Sequence, residues 1–200
     1  MKLHAPMLAL LLTGVIAAVG LMGCGGGGSG SPAQQPISGE VYVGQKLSPG
    51  LDMGVNTSEG KTDWVTDRNG YMECRYPEGQ QWGAVFITVG TPVGPGEHRQ
   101  TRDYSQFQFL VLELKGGAGG ERVAVGVKTD TDLDNGEEPK HLADNLSTDW
   151  ATIRIPLSEL VRKPYYPADR FKRLYVVCEL VFEPTFPAEV VYFRNIRFEP

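Results

Sequence analysis

From Ile37 onward, apolar and polar residues alternate with a period of two along most of the chain, the pattern of strands that bury one face. In FLVLELK, Leu110, Leu112 and Leu114 alternate with Phe109, Val111, Glu113 and Lys115. After Gly116 to Gly120 the alternation resumes, with Val123, Val125 and Val127 set against Ala124, Gly126 and Lys128. The two runs and their glycine turn read as a β-hairpin. Other strand-like runs are VYVGQKL (41–47), the stretch Tyr71 to Tyr76 after the hairpin signal Asn69-Gly70, and QWGAVFITVG (81–90). That last run is apolar on both faces. DWATIRIPL (149–157) places Ile153, Ile155 and Leu157 on one face. In RLYVVCELVFEP (173–184), Leu174, Val176, Cys178, Leu180 and Phe182 take the buried face, and Tyr175, Val177, Glu179 and Val181 the other. The closing EVVYFRNIRFEP buries Val191 and Phe193, then Ile196 and Phe198, so its period slips near Asn195 and predicts a bulge. LSELV and PADRFKRL are helical turns at most. The expectation is an all-β chain with the strand spacing of a two-sheet sandwich.

The first 23 residues differ in kind. Lys2 gives a positive start, and Met7 to Met22 is apolar apart from Thr13, Gly14 and Gly20. The run is short against the ~20 apolar residues of a membrane span, so it reads as a targeting segment that takes no part in the fold. Gly25 to Pro36 reads as a flexible tether of ~20 Å.

Composition narrows the chemistry. The chain carries a formal charge of -5, and Lys2 is the only charged side chain before Cys24, so the remainder is more negative still. An acidic domain is a poor match for phosphate backbones, so nucleic acid is not the expected partner. After Cys24 the only imidazoles are His98 and His141, and neither lies in a metal motif. There is no nucleophile elbow. Gly116 to Gly120 leads into a strand, whereas phosphate loops lead into a helix. Nothing singles out the two opposed carboxylates a glycosidase needs. No enzyme is expected.

Two features stay open at this level. Asp130, Asp132 and Asp134 fall at alternate positions and can converge on a hard cation such as calcium. The loop is not an EF-hand, since Asn135 stands where glycine is needed, and a solvated turn is the other reading. Cys74 and Cys178 both fall on core-facing positions, either as a disulfide, which an exported compartment permits, or as buried thiols.

The order of these pieces resembles a known group. Tyr104-Ser105 before FLVLELKG, ERVAVGVKTD after a glycine-rich turn, LSTDWATIRIPLSEL, RLYVVCELVFE and VVYFRNIRFE together resemble the galactose-binding-like jelly rolls. These include carbohydrate-binding modules found beside bacterial endoglucanases and the complex I intermediate-associated protein family. The stretch Leu21-Met22-Gly23-Cys24 resembles the lipobox of bacterial lipoproteins, with Cys24 as the lipidated residue. The resulting layout is a signal peptide over 1–23, a lipidated cysteine and linker over 24–36, and a β-sandwich carbohydrate-binding-like domain over 37–200. Gly25 after the cysteine implies export to the outer membrane or cell surface rather than retention.

The resemblance implies a membrane-tethered, non-catalytic carbohydrate-binding lipoprotein that holds a polysaccharide or oligosaccharide on the concave face of a jelly roll. It also implies an alternative, an envelope scaffold or assembly protein that binds another protein through the same face. Such modules often carry a structural calcium. Alternation assigns Arg75, Glu113, Lys128, Tyr175 and Glu179 to the face away from the core, with Trp82 as a stacking platform. The competing reading makes Trp82 a core residue.

Overall fold

The computed structural model describes residues 37–161, 166, 168–184 and 189–200. The targeting segment, Cys24 and the tether lie outside the described residues. In chain order the strands are β1 (Glu40–Val43), β2 (Lys46–Leu47), β3 (Leu51–Thr57), β4 (Val65–Asp67), β5 (Met72–Arg75) and β6 (Gly83–Val89). They continue with β7 (Phe109–Gly116), β8 (Glu121–Thr129), β9 (Lys140–Leu146), β10 (Ala151–Pro156), β11 (Leu174–Phe182) and β12 (Val190–Glu199). The only helical elements among the described residues are two 3₁₀ turns, Leu157–Val161 and Ala168–Arg173.

The strands form two antiparallel sheets. One has the order β10-β7-β12-β1-β2, with β5 also pairing β12 and β4 pairing β5; the other has the order β3-β6-β11-β8-β9. The all-β, two-sheet jelly roll expected from the sequence is the fold observed. Between the sheets lies the core. Leu110, Leu112, Leu114, Ile155, Val191, Phe193, Ile196 and Phe198 enter it from the first sheet. Val85, Ile87, Val123, Val125, Val127, Leu180 and Phe182 enter from the second. Apart from Val85 and Ile87, whose strand is apolar on both faces, these are the residues the period of two assigned inward. The Asn69-Gly70 turn joins β4 to β5 with both residues at positive φ, and Asn195 sits at φ 52 where β12 shifts register between Arg194 and Arg197.

One expected pairing is overturned. β7 and β8 do not form a hairpin: β7 pairs with β10 and β12, while β8 pairs with β11 and β9. The glycine stretch is a crossing between sheets. Its amides are spent on other segments, from Gly116 to Ser147 O at 2.7 Å, Gly117 to Val190 O at 2.8 Å and Gly120 to Leu146 O at 2.7 Å. The carboxylate of Glu121 folds back over the crossing and accepts from Ala118 N at 2.6 Å and Gly119 N at 2.9 Å. A Cβ on Gly116 would lie 1.9 Å from Glu121 Oε2, so this close approach requires glycine.

Two smaller differences shape the second sheet. β11 shifts register around Val176 and Cys178, so Val177 joins Cys178 in the core and Val176 turns outward, the reverse of strict alternation. β3 and β9 were not expected. They are the two edge strands, where one face and one side meet water and the sequence is correspondingly polar. Cys74 and Cys178 are free thiols, both buried.

A candidate ligand groove on the five-stranded sheet

The outer face of the five-stranded sheet is built in rows that run across the strands. Register aligns Asn56, Ala84, Val181, Ala124 and Leu142 in one row, a largely apolar line. The neighbouring row is Gly54, Phe86, Glu179, Gly126 and Lys140. Five strands at ~4.8 Å spacing give the rows a reach of roughly 19 Å. Trp82 stands at the entry to β6 beside the apolar row and is 43% exposed, the largest exposed aromatic among the described residues. The core reading of Trp82 therefore does not hold; Val85 and Ile87 fill the interior from that strand instead.

Small residues make the hollow. A Cβ on Gly126 would lie 3.0 Å from both Glu179 Oε1 and Lys140 Cγ, so glycine leaves room for these two side chains to meet. A Cβ on Gly54 would collide with the Phe86 ring at 2.3 Å, so glycine lets that ring pack close against β3. The result is a groove in two connected parts of about 450 and 290 Å³, which share Trp82, Ala84, Lys128, Asp134 and Glu179. Loop residues Asp134, Asn135 and Gly136 line the larger part, and Val93, Gly94, Pro95 and Arg99 line the smaller.

Four charged groups, Lys128, Glu179, Lys140 and Glu138, form a square on the floor, with Asp134 beside it. Lys128 Nζ lies 3.6 Å from Glu179 Oε2 and from Glu138 Oε1, and 3.5 Å from Asp134 Oδ1. Lys140 Nζ lies 3.3 Å from Glu138 Oε2 and 3.6 Å from Glu179 Oε1. Charges alternate around this square, with the carboxylates underneath: Glu138 and Glu179 are almost fully covered, whereas both lysines keep some exposure to the groove. Burial pushes the Glu179 carboxyl above the usual carboxylate range, against the pull of Lys128 and Lys140. Burial works the other way on Lys128, but Glu179, Glu138 and Asp134 outweigh it and hold the ammonium above its ordinary value. The lysines are thus the more exposed members of the square; Lys140 Nζ also donates to Gly136 O at 3.0 Å and Glu138 O at 3.2 Å.

The residues singled out from sequence divide between two faces. Trp82, Lys128 and Glu179 come together on the groove floor. Tyr175 lies at its edge, only 4% exposed, with its hydroxyl accepting from Val93 N at 2.8 Å. Arg75 and Glu113 do not belong with them. Both lie on the first sheet, where Glu113 takes Arg194 Nε at 2.7 Å and Asn195 Nδ2 at 2.9 Å, and Arg75 pairs with Glu73. For Glu113 the cause is the missing hairpin. Strands β7 and β8 face one core from opposite sheets, so their outer faces look in opposite directions. Sequence reasoning missed Lys140, Glu138 and Arg99. Of these, only Lys140 sits on a strand, and it was an edge strand without an apolar alternation to reveal it.

The acidic loop also differs from the calcium expectation. Asp130, Asp132 and Asp134 do not converge; each takes a different arginine. Asp132 Oδ2 lies 2.8 Å from Arg170 Nη2, Asp130 pairs with Arg173, and Asp134 pairs with Arg99. Among the described residues no cluster of three metal-ligating side chains occurs. The loop is anchored by guanidinium groups at the positions where a cation was expected.

Comparisons with known proteins agree on the fold. The sequence model of the family described as carbohydrate binding domain 30 matches residues 51–200. A crystal structure of a family 30 carbohydrate-binding module is 17% identical, with 72% of this chain and 90% of that chain covered and a TM-score of 0.52. A second such structure is 16% identical, with 82% and 88% covered and a TM-score of 0.50. The family 30 module of a cellulosomal cellulase of Clostridium thermocellum is 19% identical, with 82% and 97% covered and a TM-score of 0.46. No curated protein matches.

Proposed function

The chain belongs to the carbohydrate binding domain 30 family over residues 51–200, and from that premise we propose that it binds an extended polysaccharide or oligosaccharide chain along the groove of the five-stranded sheet. The observation that carries this reading is the juxtaposition of an exposed indole, Trp82, with the Lys128–Glu179–Lys140–Glu138 square on one floor. A flat apolar ring stacks on the hydrophobic face of a sugar, and neighbouring ammonium groups donate to its hydroxyls. The floor charges balance, which suits a neutral glycan. Lys128 and Lys140 are the hydrogen-bonding groups, Glu179 and Glu138 hold them, and Tyr175 closes one edge.

The protein acts without catalysis, as a binding module. It is held at the cell envelope by a lipid on Cys24, and the linker to Pro36 sets the domain just off the membrane surface. The lipobox-like Leu21-Met22-Gly23-Cys24 supports that anchor.

A glycan array probed with the full chain in detergent tests the central reading. Binding to one class of neutral polysaccharide is expected. A wild-type protein that binds no glycan but captures an envelope protein overturns it in favour of a scaffold. Mass spectrometry of the mature protein tests the anchor, with acyl chains on Cys24 expected and an unmodified cysteine overturning it.

A further inference from the structure

The loops that wall the groove, 91–99 and 130–138, meet at one side chain. Arg99 is buried, with its side chain 6% exposed. Its Nη1 donates to Asp132 O at 3.0 Å, and its Nη2 pairs with the Asp134 carboxylate. Its Cζ lies 4.8 Å from the centre of the Tyr175 ring, and the hydroxyl of that ring accepts from Val93 N at 2.8 Å. One guanidinium therefore ties the second loop to the first, with Tyr175 of β11 as the post between them. Asp134 carries the link down to the floor through Lys128. The other two arginine pairs, Asp130–Arg173 and Asp132–Arg170, fasten the acidic loop to the Ala168–Arg173 turn instead.

We infer that Arg99 is a positioning residue that sets the spacing of the two walls, and through it which chains the groove admits; for its ligand the inference rests on the glycan reading. The chemistry requires arginine. A planar guanidinium donates in two directions while stacking on an aromatic ring, whereas a lysine ammonium is a single point charge. Walls fixed before binding spare the ligand the cost of ordering them.

The test is hydrogen exchange by mass spectrometry on the full chain, comparing wild type, Arg99→Ala and Arg99→Lys, together with titration of a hexamer of β-linked glucose. Arg99→Ala is expected to speed exchange about tenfold in both 91–97 and 130–138, while β6, β8 and β11 keep wild-type rates. Arg99→Lys is expected to restore part of the protection over 130–138, through Asp134, and none over 91–97. Affinity for the hexamer falls about tenfold in Arg99→Ala, with a smaller loss in Arg99→Lys. Unchanged exchange in either loop overturns the inference. So does faster exchange throughout β6, β8 and β11, which would make Arg99 a support of the fold, and so do loosened loops with unchanged affinity. A wild type that binds no sugar overturns the glycan reading; the exchange rates then decide the clamp alone.

Discussion

Lys128 Nζ lies 3.6 Å from Glu179 Oε2 on the groove floor, and the same carboxylate reaches Lys140 through its other oxygen, also at 3.6 Å. One buried acid thus holds two ammonium groups beneath a ligand path. Glu179→Ala leaves both lysines with fewer partners in a site largely closed to water. Breaking such a buried set costs roughly 3–5 kcal/mol. The expected outcome is a large drop in melting temperature, with Glu179→Gln, which keeps the shape, losing less. Both substitutions weaken glycan binding, since the lysines lose their seat. A Glu179→Ala variant with wild-type melting and affinity would show that the square contributes nothing.

Trp82 behaves in the opposite way. Its indole is the largest exposed aromatic among the described residues and is not part of the core. Truncation to alanine should change the melting temperature little and lower glycan affinity by about 2 kcal/mol, roughly thirtyfold, the size seen when a central aromatic contact is lost. Calorimetric titration beside a thermal melt separates the two effects. A folded Trp82→Ala that binds as wild type would move the site off this floor.

The acidic loop makes a prediction about calcium. Because Asp132 serves the buried Arg170, whose side chain is 1% exposed, the loop needs no cation for its shape. Adding calcium or a chelator should leave the melting curve unchanged. Asp132→Ala should destabilise the fold by roughly 3–5 kcal/mol, because it leaves a buried guanidinium unpaired. A rise in melting temperature with calcium that Asp132→Ala abolishes would restore the metal reading.

On the opposite sheet, Glu113 predicts an acid response. Hydrogen bonds from Asn195 and then Arg194 hold its carboxyl below the ordinary value of 4.5. A depressed carboxyl lends stability that is present above the unfolded value and lost as pH falls through the folded one. Glu113→Gln should therefore lower the melting temperature at neutral pH and lose less than wild type below about pH 4.5, with no effect on glycan affinity. A fall in affinity would contradict its place on the far face.

Cys74 and Cys178 are free, and burial pushes both thiols well above the usual range. A thiolate-selective reagent should leave both unlabelled in the native domain and label both after unfolding without reductant. Labelling that needs prior reduction would show a disulfide.

The reading of the site from sequence failed and succeeded for one physical reason. The inward residues of β7 and β8 were all legible, since a period of two depends only on the pleat of a single strand. Glu113 was nevertheless grouped with Lys128, because alternation gives a side chain's direction relative to the core and not the sheet its strand joins. Val176 and Val177 exchanged faces where β11 bulges, and a run of apolar residues carries no mark of where an extra residue enters.

What the sequence determined by itself is therefore local or summed over the chain: the all-β class, the inward positions of β7, β8 and β12, the turn at Asn69-Gly70 and the slip at Asn195. Each follows from backbone sterics and from burying apolar side chains, which neighbouring residues settle together. What only the tertiary structure decided is which strands lie side by side. That choice brought Lys140 of an edge strand and Glu138 of a loop to Glu179, sent Glu113 to the far face, and gave each loop aspartate an arginine from a distant segment. Charge pairing at 3 to 4 Å depends on where distant segments pack, and that information is not carried by the spacing of residues along the chain.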